Sequence, residues 1–453
     1  MKEISLTING KQFSGKEGAT VLDICQAHGI DVPTLCHYKG LSDVGACRMC
    51  VVEIERERRP VPACTYPARD GLVVQTHTEK LEKYRRFILE LLLSEHEHNC
   101  LFCESNGHCE LQNLVYKYKI DKVSFPIDKV LDPLDDSSEV ILRDPNKCIL
   151  CGRCVRACAE TAVRNILDFG NRGGKTFIVA GLKDQLAQAD CVSCGACLQA
   201  CPTGALTEKL ARFQGRVGEF REVRTTCSYC GVGCQLELNI KDNRMVKVYG
   251  VEDAPANRGH LCVKGRFGFD YVHHPERLTT PLIKRNGKFE PASWDEALNL
   301  VAARLKELKA KYGSDALAGL SSAKCTNEEN YLFQKFVRAS LGTNSVDHCA
   351  RLCHASTLAA LARAFGSGAM TNSINEIGDA GCILAIGTNT TEAHPVIGLE
   401  IKRAVDKGAK LNIANPREID LVRLADLWLR HNPGTDVALL MGMMQVIVDE
   451  GLL

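Results

Sequence analysis

The sequence CILCGRCVRAC occupies residues 148–158, and CVSCGACLQACP occupies residues 191–202. Both stretches have the cysteine spacing C-x2-C-x2-C-x3-C, so the chain contains one short unit twice. Four thiolates this close together suit a metal centre, because iron bridged by sulfide binds soft, charged sulfur donors. We therefore expect the two stretches to hold two iron–sulfur clusters of the [4Fe-4S] type.

The spacing also predicts how the two stretches share their ligands. It is typical of bacterial two-cluster ferredoxins, in which the fourth cysteine of each run binds the cluster of the other run. Pro202 follows the second run as in that pattern, whereas Ala159 follows the first. We expect one cluster on Cys148, Cys151, Cys154 and Cys201, and the other on Cys191, Cys194, Cys197 and Cys158.

The 24 cysteines of this 453-residue chain are concentrated in such runs. A disulfide-rich protein would be a small secreted domain, and the start MKEISLTINGKQFSG has neither an apolar signal core nor a twin-arginine pair. Metal binding therefore explains the cysteines better than disulfide bonds do. Outside the ligand sets, we expect Cys25, Cys325 and Cys382 to be inert buried thiols.

The N-terminal segment predicts a β-grasp domain that holds a [2Fe-2S] cluster. Apolar residues alternate up to Ile8, Asn9-Gly10 favours a tight hairpin turn, and Thr20 can cap a helix that ends near Gly29. Four cysteines follow with the spacing C-x10-C-x2-C-x13-C, and a loop lets such ligands converge on a small cluster. The predicted ligands are Cys36, Cys47, Cys50 and Cys64.

A further cluster is predicted directly after an amphipathic helix at residues 81–94. The spacing H-x3-C-x2-C-x5-C is compatible with a [4Fe-4S] cluster and also with zinc, which binds mixed histidine and cysteine sets. The cluster motifs on either side favour iron. We expect His98 to be a solvated neighbour, and the ligands to be His96, Cys100, Cys103 and Cys109.

The last set of cysteines has the spacing C-x2-C-x3-C-x27-C and predicts one more [4Fe-4S] cluster. Its ligands come from the loop TTCSYCGVGC at residues 225–234 and from the separate loop GHLCVKGRFG at residues 259–268. Lys264 follows the last ligand; a cation there could favour the reduced cluster, or could simply be a surface lysine. The predicted ligands are Cys227, Cys230, Cys234 and Cys262.

From Trp294 onward the cysteines thin out and helices alternate with strands. A helix is predicted at residues 295–312, and short apolar strands at 382–386 and 411–414. This alternation is typical of a nucleotide-binding α/β domain. A stretch rich in Pro and Asp near residues 126–136 predicts a linker between domains.

Net charge and hydropathy argue against two classes of partner. The chain has 56 basic and 55 acidic residues and a formal charge of +1, which gives no field that would attract nucleic acid or an anionic membrane. No stretch reaches the roughly 18 consecutive apolar residues of a membrane span. We expect a cytoplasmic protein with no nucleic-acid partner and no membrane span.

The order of these motifs resembles known families. The first 220 residues or so resemble the cluster-bearing arm shared by complex I large subunits, iron-only hydrogenases and soluble formate dehydrogenases. Later segments resemble the molybdopterin oxidoreductases, and most closely the NAD(P)-linked formate dehydrogenases. These segments are TTCSYCGVGC (225–234), LCVKGRFGFDY (261–271), SAKCTNEENYLFQKF (322–336), VDHCARLCHASTLAALARAFGSGAMTNS (346–373) and IGTNTTEAHPV (386–396).

The resemblance implies a site for molybdenum or tungsten held by a bis(pterin guanine dinucleotide). Cys353 falls where the family places the cysteine or selenocysteine that binds the metal, and His354 matches its active-site histidine. Lys264 matches the lysine between cluster and pterin, which makes it a candidate catalytic and cofactor-binding residue. The segments that line the dinucleotide correspond to Gly387, Asn389, Glu392, His394, Asn415, Pro416, Arg417, Gly434, Thr435 and Asp436.

The motifs and the resemblance together predict a multidomain protein of the α+β and α/β classes. The expected order is a β-grasp ferredoxin-like domain at 1–78, a His/Cys3 cluster domain at 79–120, a tandem bacterial ferredoxin domain at 138–210, a molybdopterin oxidoreductase cluster domain at 220–276, and a molybdopterin-binding α/β domain at 277–453. Family members continue for several hundred further residues. We therefore expect the last, dinucleotide-binding domain to be incomplete.

The resemblance also implies a function, the interconversion of formate and carbon dioxide by the catalytic subunit of a formate dehydrogenase or its N-terminal part. One [2Fe-2S] and four [4Fe-4S] clusters would pass electrons to an FMN- and NAD(P)-binding iron–sulfur diaphorase-type subunit, with a hydrogenase as a further candidate partner. The chain has no GxGxxG fingerprint of its own. Two alternatives are a non-catalytic electron-transfer subunit of an NADH dehydrogenase or hydrogenase complex, and another molybdopterin enzyme such as a nitrate reductase.

Overall fold

The computed structural model describes residues 3–126 and 131–453. It divides into two compact units, of which one joins the chain up to Gly268 with Ile377–Leu453 and the other comprises Phe269–Glu376. The domain predicted at 277–453 is therefore shared between the two units. The predicted α+β and α/β multidomain fold class is confirmed.

The N-terminal domain is a five-stranded sheet with one helix. Its elements are β1 (Glu3–Ile8), β2 (Lys11–Lys16), α1 (Val21–Ala27), β3 (Val51–Ile54), β4 (Val61–Pro62) and β5 (Val73–Gln75). In the sheet order β2-β1-β5-β3-β4, β1 pairs antiparallel with β2 and parallel with β5. The hairpin turn is as predicted, because Asn9 and Gly10 both have positive φ, 51° and 79°. Thr20 and Asp23 form the capping box of α1.

Two helices flank the predicted His/Cys3 site. They are α2 (Glu79–Ser94) and α3 (Glu110–Lys117). The first begins two residues before the predicted position, because the Thr78 hydroxyl caps it by accepting the Leu81 backbone N–H at 3.2 Å. Leu89 and Leu111 pack in one core cluster with Met49, which lies between two predicted [2Fe-2S] ligands. This packing fixes the N-terminal domain against the helices.

The two cysteine runs form a small domain with an internal repeat. Its elements are β6 (Ile141–Arg143), α4 (Arg153–Arg156), β7 (Leu167–Gly170), β8 (Phe177–Ala180), α5 (Ala196–Ala200) and β9 (Leu206–Glu208). Strand β6 pairs antiparallel with β9, and β7 with β8. Each short helix starts after a glycine with a φ of 69°, Gly152 in the first run and Gly195 in the second, so the backbone repeats as the sequence does.

The predicted linker is ordered at its end. Residues 127–130 of it lie outside the described residues. Asp135, which the prediction placed in a loose connection, is instead buried and forms an ion pair with Arg143 at 3.2 Å. A buried carboxylate needs such a partner, and it ties this segment to the ferredoxin domain.

A three-stranded antiparallel sheet follows and carries the last cysteine set. It comprises β10 (Arg221–Thr226), β11 (Gln235–Lys241) and β12 (Arg244–Gly250), and the short helix α6 (Val263–Phe267) follows it.

The second unit, Phe269–Glu376, is built from helices and two pairs of strands. Its elements are β13 (Leu282–Arg285), β14 (Lys288–Pro291), α7 (Trp294–Tyr312), β15 (Gly319–Ser321), α8 (Asn327–Phe336), β16 (Val346–His348), α9 (Ala350–Cys353) and α10 (Ala355–Phe365). Helix α7 starts one residue before the predicted position, because Ser293 caps it. Strands β15 and β16 pair in parallel, and the core of this unit is Leu317, Val337 and Leu341.

The C-terminal part of the first unit is a parallel sheet with helices. Its elements are β17 (Cys382–Ile386), α11 (Thr390–Ala393), α12 (Pro395–Asp406), β18 (Lys410–Ala414), β19 (Leu427–Leu429) and α13 (Asp436–Asp449). The strands lie in the order β17-β18-β19. The predicted strands at 382–386 and 411–414 are thus confirmed. Among the described residues, the search for a helix long and apolar enough to cross a membrane found none.

Two of the three thiols predicted to be buried are exposed. Cys25 lies in the N-terminal core with no exposed surface, as predicted. Cys325 and Cys382 are exposed, so that prediction was wrong for both. The reason is their position: Cys325 precedes the helix cap Thr326, and Cys382 begins a strand, where its sulfur contacts the Asn412 amide at 3.4 Å.

Candidate metal and cofactor sites

The predicted [2Fe-2S] ligands lie together under the N-terminal sheet. Cys36, Cys50 and Cys64 are at most 1% exposed. Hydrogen bonds from Cys47 and Cys64 lower the pKa of Cys36 to about 2, and the same contact with Cys36 raises the pKa of Cys47 and of Cys64. A hydrogen bond from Cys64 also lowers the pKa of Cys50. The four sulfurs are therefore neighbours, which is the arrangement that a small cluster needs.

A buried arginine holds the loop between two of these ligands. The Arg85 guanidinium, with no exposed surface, donates from Nε to the carbonyl oxygen of Met49 at 3.2 Å and from Nη2 to that of Val51 at 2.8 Å. This role of Arg85 was not predicted, because it depends on a contact between α2 and a loop 36 positions earlier in the chain.

The predicted His/Cys3 ligands surround a cavity. The lining of this cavity includes Lys147 and Gly204 together with His96, Cys100, Cys103 and Cys109. A side chain in place of Gly204 would put its Cβ 2.4 Å from the Cys103 sulfur, so glycine keeps this space open. Burial raises the pKa of Cys109 to about 11. His98 is exposed and its ring contacts the Leu93 carbonyl oxygen at 2.7 Å, in keeping with its predicted role as a neighbour.

The two ferredoxin runs exchange their fourth cysteines in space. Burial raises the pKa of Cys154 well above its usual range, and negative charge on Cys201, Cys151 and Cys148 raises it further. In the other set, burial raises the pKa of Cys194, and charge on Cys191 and Cys158 adds to the rise. Cys201 therefore lies near the first three cysteines of the first run, and Cys158 near those of the second, as the predicted sharing of ligands would require.

Backbone N–H groups point at the sulfurs in both halves of the repeat. The N–H of Leu150 donates to the Cys148 sulfur at 3.4 Å, and the N–H of Ser193 donates to the Cys191 sulfur at the same distance. Both donors have a positive φ, near 50°. Hydrogen bonds to cluster sulfurs are one means by which proteins set the reduction potential.

The last predicted ligand set also surrounds a cavity. Pro395 and Val396 of α12 complete its lining beside Cys227, Cys230, Cys234 and Cys262. Burial raises the pKa of Cys234 to about 12, and charge on the other three cysteines contributes. Cys227 and Cys234 are held together by a backbone hydrogen bond of 2.8 Å. The cavity thus lies where the cysteine loops meet the parallel α/β sheet.

The predicted dinucleotide segments come together at one edge of that sheet. Ile386 pairs with Ala414, and Ala414 pairs with Leu429, so the carboxyl ends of the three parallel strands are level. Ligands of parallel α/β sheets bind at this edge. The segments that follow the three ends contain, in order, Gly387, Asn389, Glu392 and His394; Asn415, Pro416 and Arg417; and Gly434, Thr435 and Asp436.

Hydrogen bonds hold these segments in shape. The Asn415 amide donates to the Thr388 carbonyl oxygen at 3.2 Å and its Oδ1 accepts the Arg417 N–H at 3.0 Å. Asp436 contacts the His431 ring at 3.0 Å. Gly387 and Gly434 have φ of 59° and 83°, which favour glycine and let the backbone approach a phosphate.

Lys264 joins the cysteine loop to this edge. Its ammonium donates to the Glu392 carbonyl oxygen at 3.2 Å. This contact links the two segments, and the role of Lys264 as a catalytic and cofactor-binding residue stays a prediction.

Cys353 and His354 lie in the other unit. Cys353 ends α9, and His354 is both the C-cap of α9 and the N-cap of α10, where its N–H donates to the Ala350 carbonyl oxygen at 2.9 Å. Both side chains are exposed, so they are open to a ligand.

The donor chemistry of the cysteine sets fits iron–sulfur clusters. All 24 cysteines are free thiols, which removes the disulfide alternative. Buried thiolates are costly unless a cation offsets their charge, and a cluster supplies that cation. Across the ranges 3–126 and 131–453, histidine, cysteine and acidic side chains do not form a group with the spacing of a single-ion site.

Known protein families match five parts of the chain. They are the 2Fe-2S iron-sulfur cluster binding domain at 1–79, the NADH-ubiquinone oxidoreductase-G iron-sulfur binding region at 85–124, the 4Fe-4S dicluster domain at 147–205, the Molybdopterin oxidoreductase Fe4S4 domain at 220–274 and Molybdopterin oxidoreductase at 277–453. The comparison was made on sequence and is independent of the cavities described above.

The chain is similar in sequence to several known proteins. The NADPH-Fe(3+) oxidoreductase subunit alpha of Geobacter sulfurreducens is 37% identical over 99% of this chain and 52% of its own length. The Bacillus subtilis protein named "Putative formate dehydrogenase YrhE" is 32% identical over 100% of this chain and 50% of its own. The structure of an NAD+-reducing [NiFe]-hydrogenase in the H2-reduced state matches at 33% identity over 48% of this chain and 91% of that one, with a TM-score of 0.45. The chain spans about half the length of the curated relatives it matches.

Proposed function

We propose that this chain, which carries a molybdopterin oxidoreductase domain behind an N-terminal iron–sulfur arm, forms part of an enzyme that interconverts formate and carbon dioxide. Oxidation of formate yields carbon dioxide, one proton and two electrons. We further propose that the electrons reach an NAD(P)-linked partner through one [2Fe-2S] and four [4Fe-4S] clusters.

One observation carries this proposal. Lys264 connects the Cys262 loop to the carboxyl edge of the parallel sheet. At this edge the three strands end side by side, and each is followed by one of the predicted dinucleotide segments. A phosphate-rich dinucleotide is the kind of ligand that such an edge binds. A cluster cavity beside a dinucleotide edge is the arrangement that an enzyme needs if a pterin-bound metal is to exchange electrons with a cluster.

The residues of this chain would have separate roles. Cys353 would hold molybdenum or tungsten, since a soft thiolate suits either metal. His354 would accept or return the proton of the reaction, because a ring nitrogen of histidine can act as a general base and then as a general acid. The segments around Asn389, Asn415 and Thr435 would hold the pterin guanine dinucleotide. When bound, the metal would supply a two-electron redox centre and the clusters one-electron carriers.

The partner that we propose is a flavoprotein of the FMN- and NAD(P)-binding diaphorase type. The Geobacter relative is named as a subunit of an NADPH-linked oxidoreductase, which supports a nicotinamide-linked partner. These 453 residues lack a GxGxxG fingerprint, so the nicotinamide site is expected outside them.

The same relative supports a second candidate function. Its identity of 37% exceeds the 32% of the protein named for formate. In this alternative, the chain passes electrons from NAD(P)H to an acceptor within an NADH dehydrogenase or hydrogenase-type complex, and formate is not a substrate.

The two candidates are separated by metal analysis combined with two activity assays on the anaerobically purified complex. Formate oxidation predicts roughly 18 iron atoms and about one molybdenum or tungsten per chain, together with formate-dependent reduction of a viologen dye. Iron without either heavy metal, together with NAD(P)H-dependent dye reduction and no response to formate, would support the electron-transfer alternative and exclude formate oxidation.

A further inference from the structure

One buried guanidinium joins the [2Fe-2S] ligand loop to the first ferredoxin run. Arg156 ends α4 and is only 7% exposed. Its Nη2 donates to the backbone carbonyl oxygen of Cys36 at 2.5 Å and to that of Cys151 at 3.3 Å. These two cysteines are proposed ligands of different clusters. A single nitrogen therefore lies between the ligand loops of two redox centres.

Further hydrogen bonds fix this guanidinium in place. Nη1 donates to the Ser42 carbonyl oxygen, and Nε donates to the Gly152 carbonyl oxygen at 3.3 Å. One helical turn further on, Glu160 accepts the backbone N–H of Ser42 at 2.7 Å and its hydroxyl at 2.5 Å. Arg156 and Glu160 together hold the loop at residues 36–42 against the ferredoxin domain.

The acceptors of Arg156 leave its positive charge in place, because all of them are neutral carbonyl oxygens. Arg153 offers a contrast in the same helix: its guanidinium donates to both carboxylate oxygens of Glu110, at 2.5 and 2.8 Å, which offsets its charge. Charges interact more strongly in a protein interior than in water. Since reduction adds one negative charge to a cluster, the Arg156 charge favours the reduced state of each neighbouring cluster.

We propose that Arg156 is a positioning residue that couples the [2Fe-2S] cluster to the [4Fe-4S] cluster of Cys148, Cys151, Cys154 and Cys201. Its planar guanidinium holds the two ligand loops together and places its charge between them, and this placed charge raises the reduction potentials of both clusters. This inference rests on the proposed cluster-binding function, because it concerns the surroundings of those two clusters.

The test compares three variants of the full chain, purified anaerobically. Arg156→Gln removes the charge, and Arg156→Lys keeps the charge on a head group that cannot bond both carbonyl oxygens. Arg172→Gln, at an exposed position in the same domain, is the control for loss of one positive charge. Redox titration followed by electron paramagnetic resonance gives the midpoint potential of each cluster.

The expected result is a lower potential for both clusters in Arg156→Gln, a smaller drop for both in Arg156→Lys, and no change in Arg172→Gln. The proposal would be overturned if the midpoint potential of only one cluster fell in Arg156→Gln. It would also be overturned if both clusters of Arg156→Gln gave their paramagnetic resonance signals at the parent potentials. If Arg156→Gln does not assemble its clusters, Arg156→Lys decides, and parent potentials in that variant overturn it. If the parent chain shows neither cluster signal, the proposed cluster-binding function is wrong, and the role of Arg156 is wrong with it.

Discussion

The Lys264 ammonium donates a hydrogen bond of 3.2 Å to the backbone carbonyl oxygen of Glu392. The donor follows the last proposed cluster ligand by two residues, and the acceptor lies just beyond the first strand of the parallel sheet. Two regions that are 128 positions apart in the sequence are thereby joined by one cation.

Loss of the Lys264 cation should slow electron transfer between substrate and clusters. We expect Lys264→Met to lower formate-dependent viologen reduction by roughly 10- to 100-fold, the scale on which misplacement of reacting groups acts. Lys241→Met, in the neighbouring β11, should keep the parent rate. The measurement is steady-state dye reduction at equal iron content, and equal rates for Lys264→Met and the parent would contradict the role.

Replacement of the proposed metal ligand should abolish formate chemistry while sparing the clusters. Cys353→Ser should remove formate-dependent activity and lower bound molybdenum or tungsten, because a hydroxyl is a poorer ligand than a soft thiolate. Iron content should not change. Cys325→Ser, another exposed thiol with no proposed role, is the matched control; the same loss in both variants would show that Cys353 is not special.

The exchange of cysteines between the ferredoxin runs has a spectroscopic signature. Cys201→Ser should perturb the cluster held by the first three cysteines of the opposite run, and Cys158→Ser should perturb the other cluster, since each residue lies close to cysteines of the opposite run. Electron paramagnetic resonance of the reduced variants distinguishes the two signals. If each substitution instead altered the signal assigned to its own run, the shared ligation would be wrong.

The iron and zinc content of the purified protein can identify the metal at the His/Cys3 cavity. His96→Ala should lower the iron content by roughly four atoms per chain if the site holds a [4Fe-4S] cluster, and should release about one zinc if it holds zinc. His98→Ala, at an exposed ring, should leave both counts unchanged. Inductively coupled plasma mass spectrometry of the three proteins decides between the two metals.

The stability of the protein should depend on pH through Glu208. Burial raises its pKa from 4.5 to about 7, against the opposing effect of Arg266 and Lys247. Because the pKa is raised, folding favours the neutral form of the Glu208 carboxyl group. The stability that this preference contributes is complete below about pH 4.5 and is lost as the pH rises through 7. The loss is on the order of 3 kcal/mol at high pH.

Glu208→Gln removes this titration. Its melting temperature relative to the parent should therefore rise as the pH is raised from 6 to 8.5, when measured by differential scanning fluorimetry. Glu17→Gln, at an exposed loop position, should show a constant difference from the parent. A constant difference for Glu208→Gln would mean that its carboxyl group is already charged at pH 6.

Short-range patterns were sufficient for much of the fold. Asn9-Gly10 and the Thr20–Asp23 capping box determine their turn and helix start through neighbouring residues alone, and both were predicted. The exposure of Cys325 and Cys382 was not predictable in this way, because burial depends on what packs over a residue from elsewhere in the chain. The same holds for Asp135, whose carboxylate accepts the Leu186 backbone N–H from 51 positions further along the chain.

The sequence by itself determined which residues can bind metal, because ligand type and spacing act locally: a C-x2-C-x2-C run needs only its own loop to bring three sulfurs together. The tertiary structure alone decided which loops meet. Arg156 reaches Cys36 across 120 positions, and Arg85 reaches Met49 across 36. Neither contact has a sequence signature, because the partner in each case is a backbone carbonyl oxygen, which every residue carries and only packing can bring within reach.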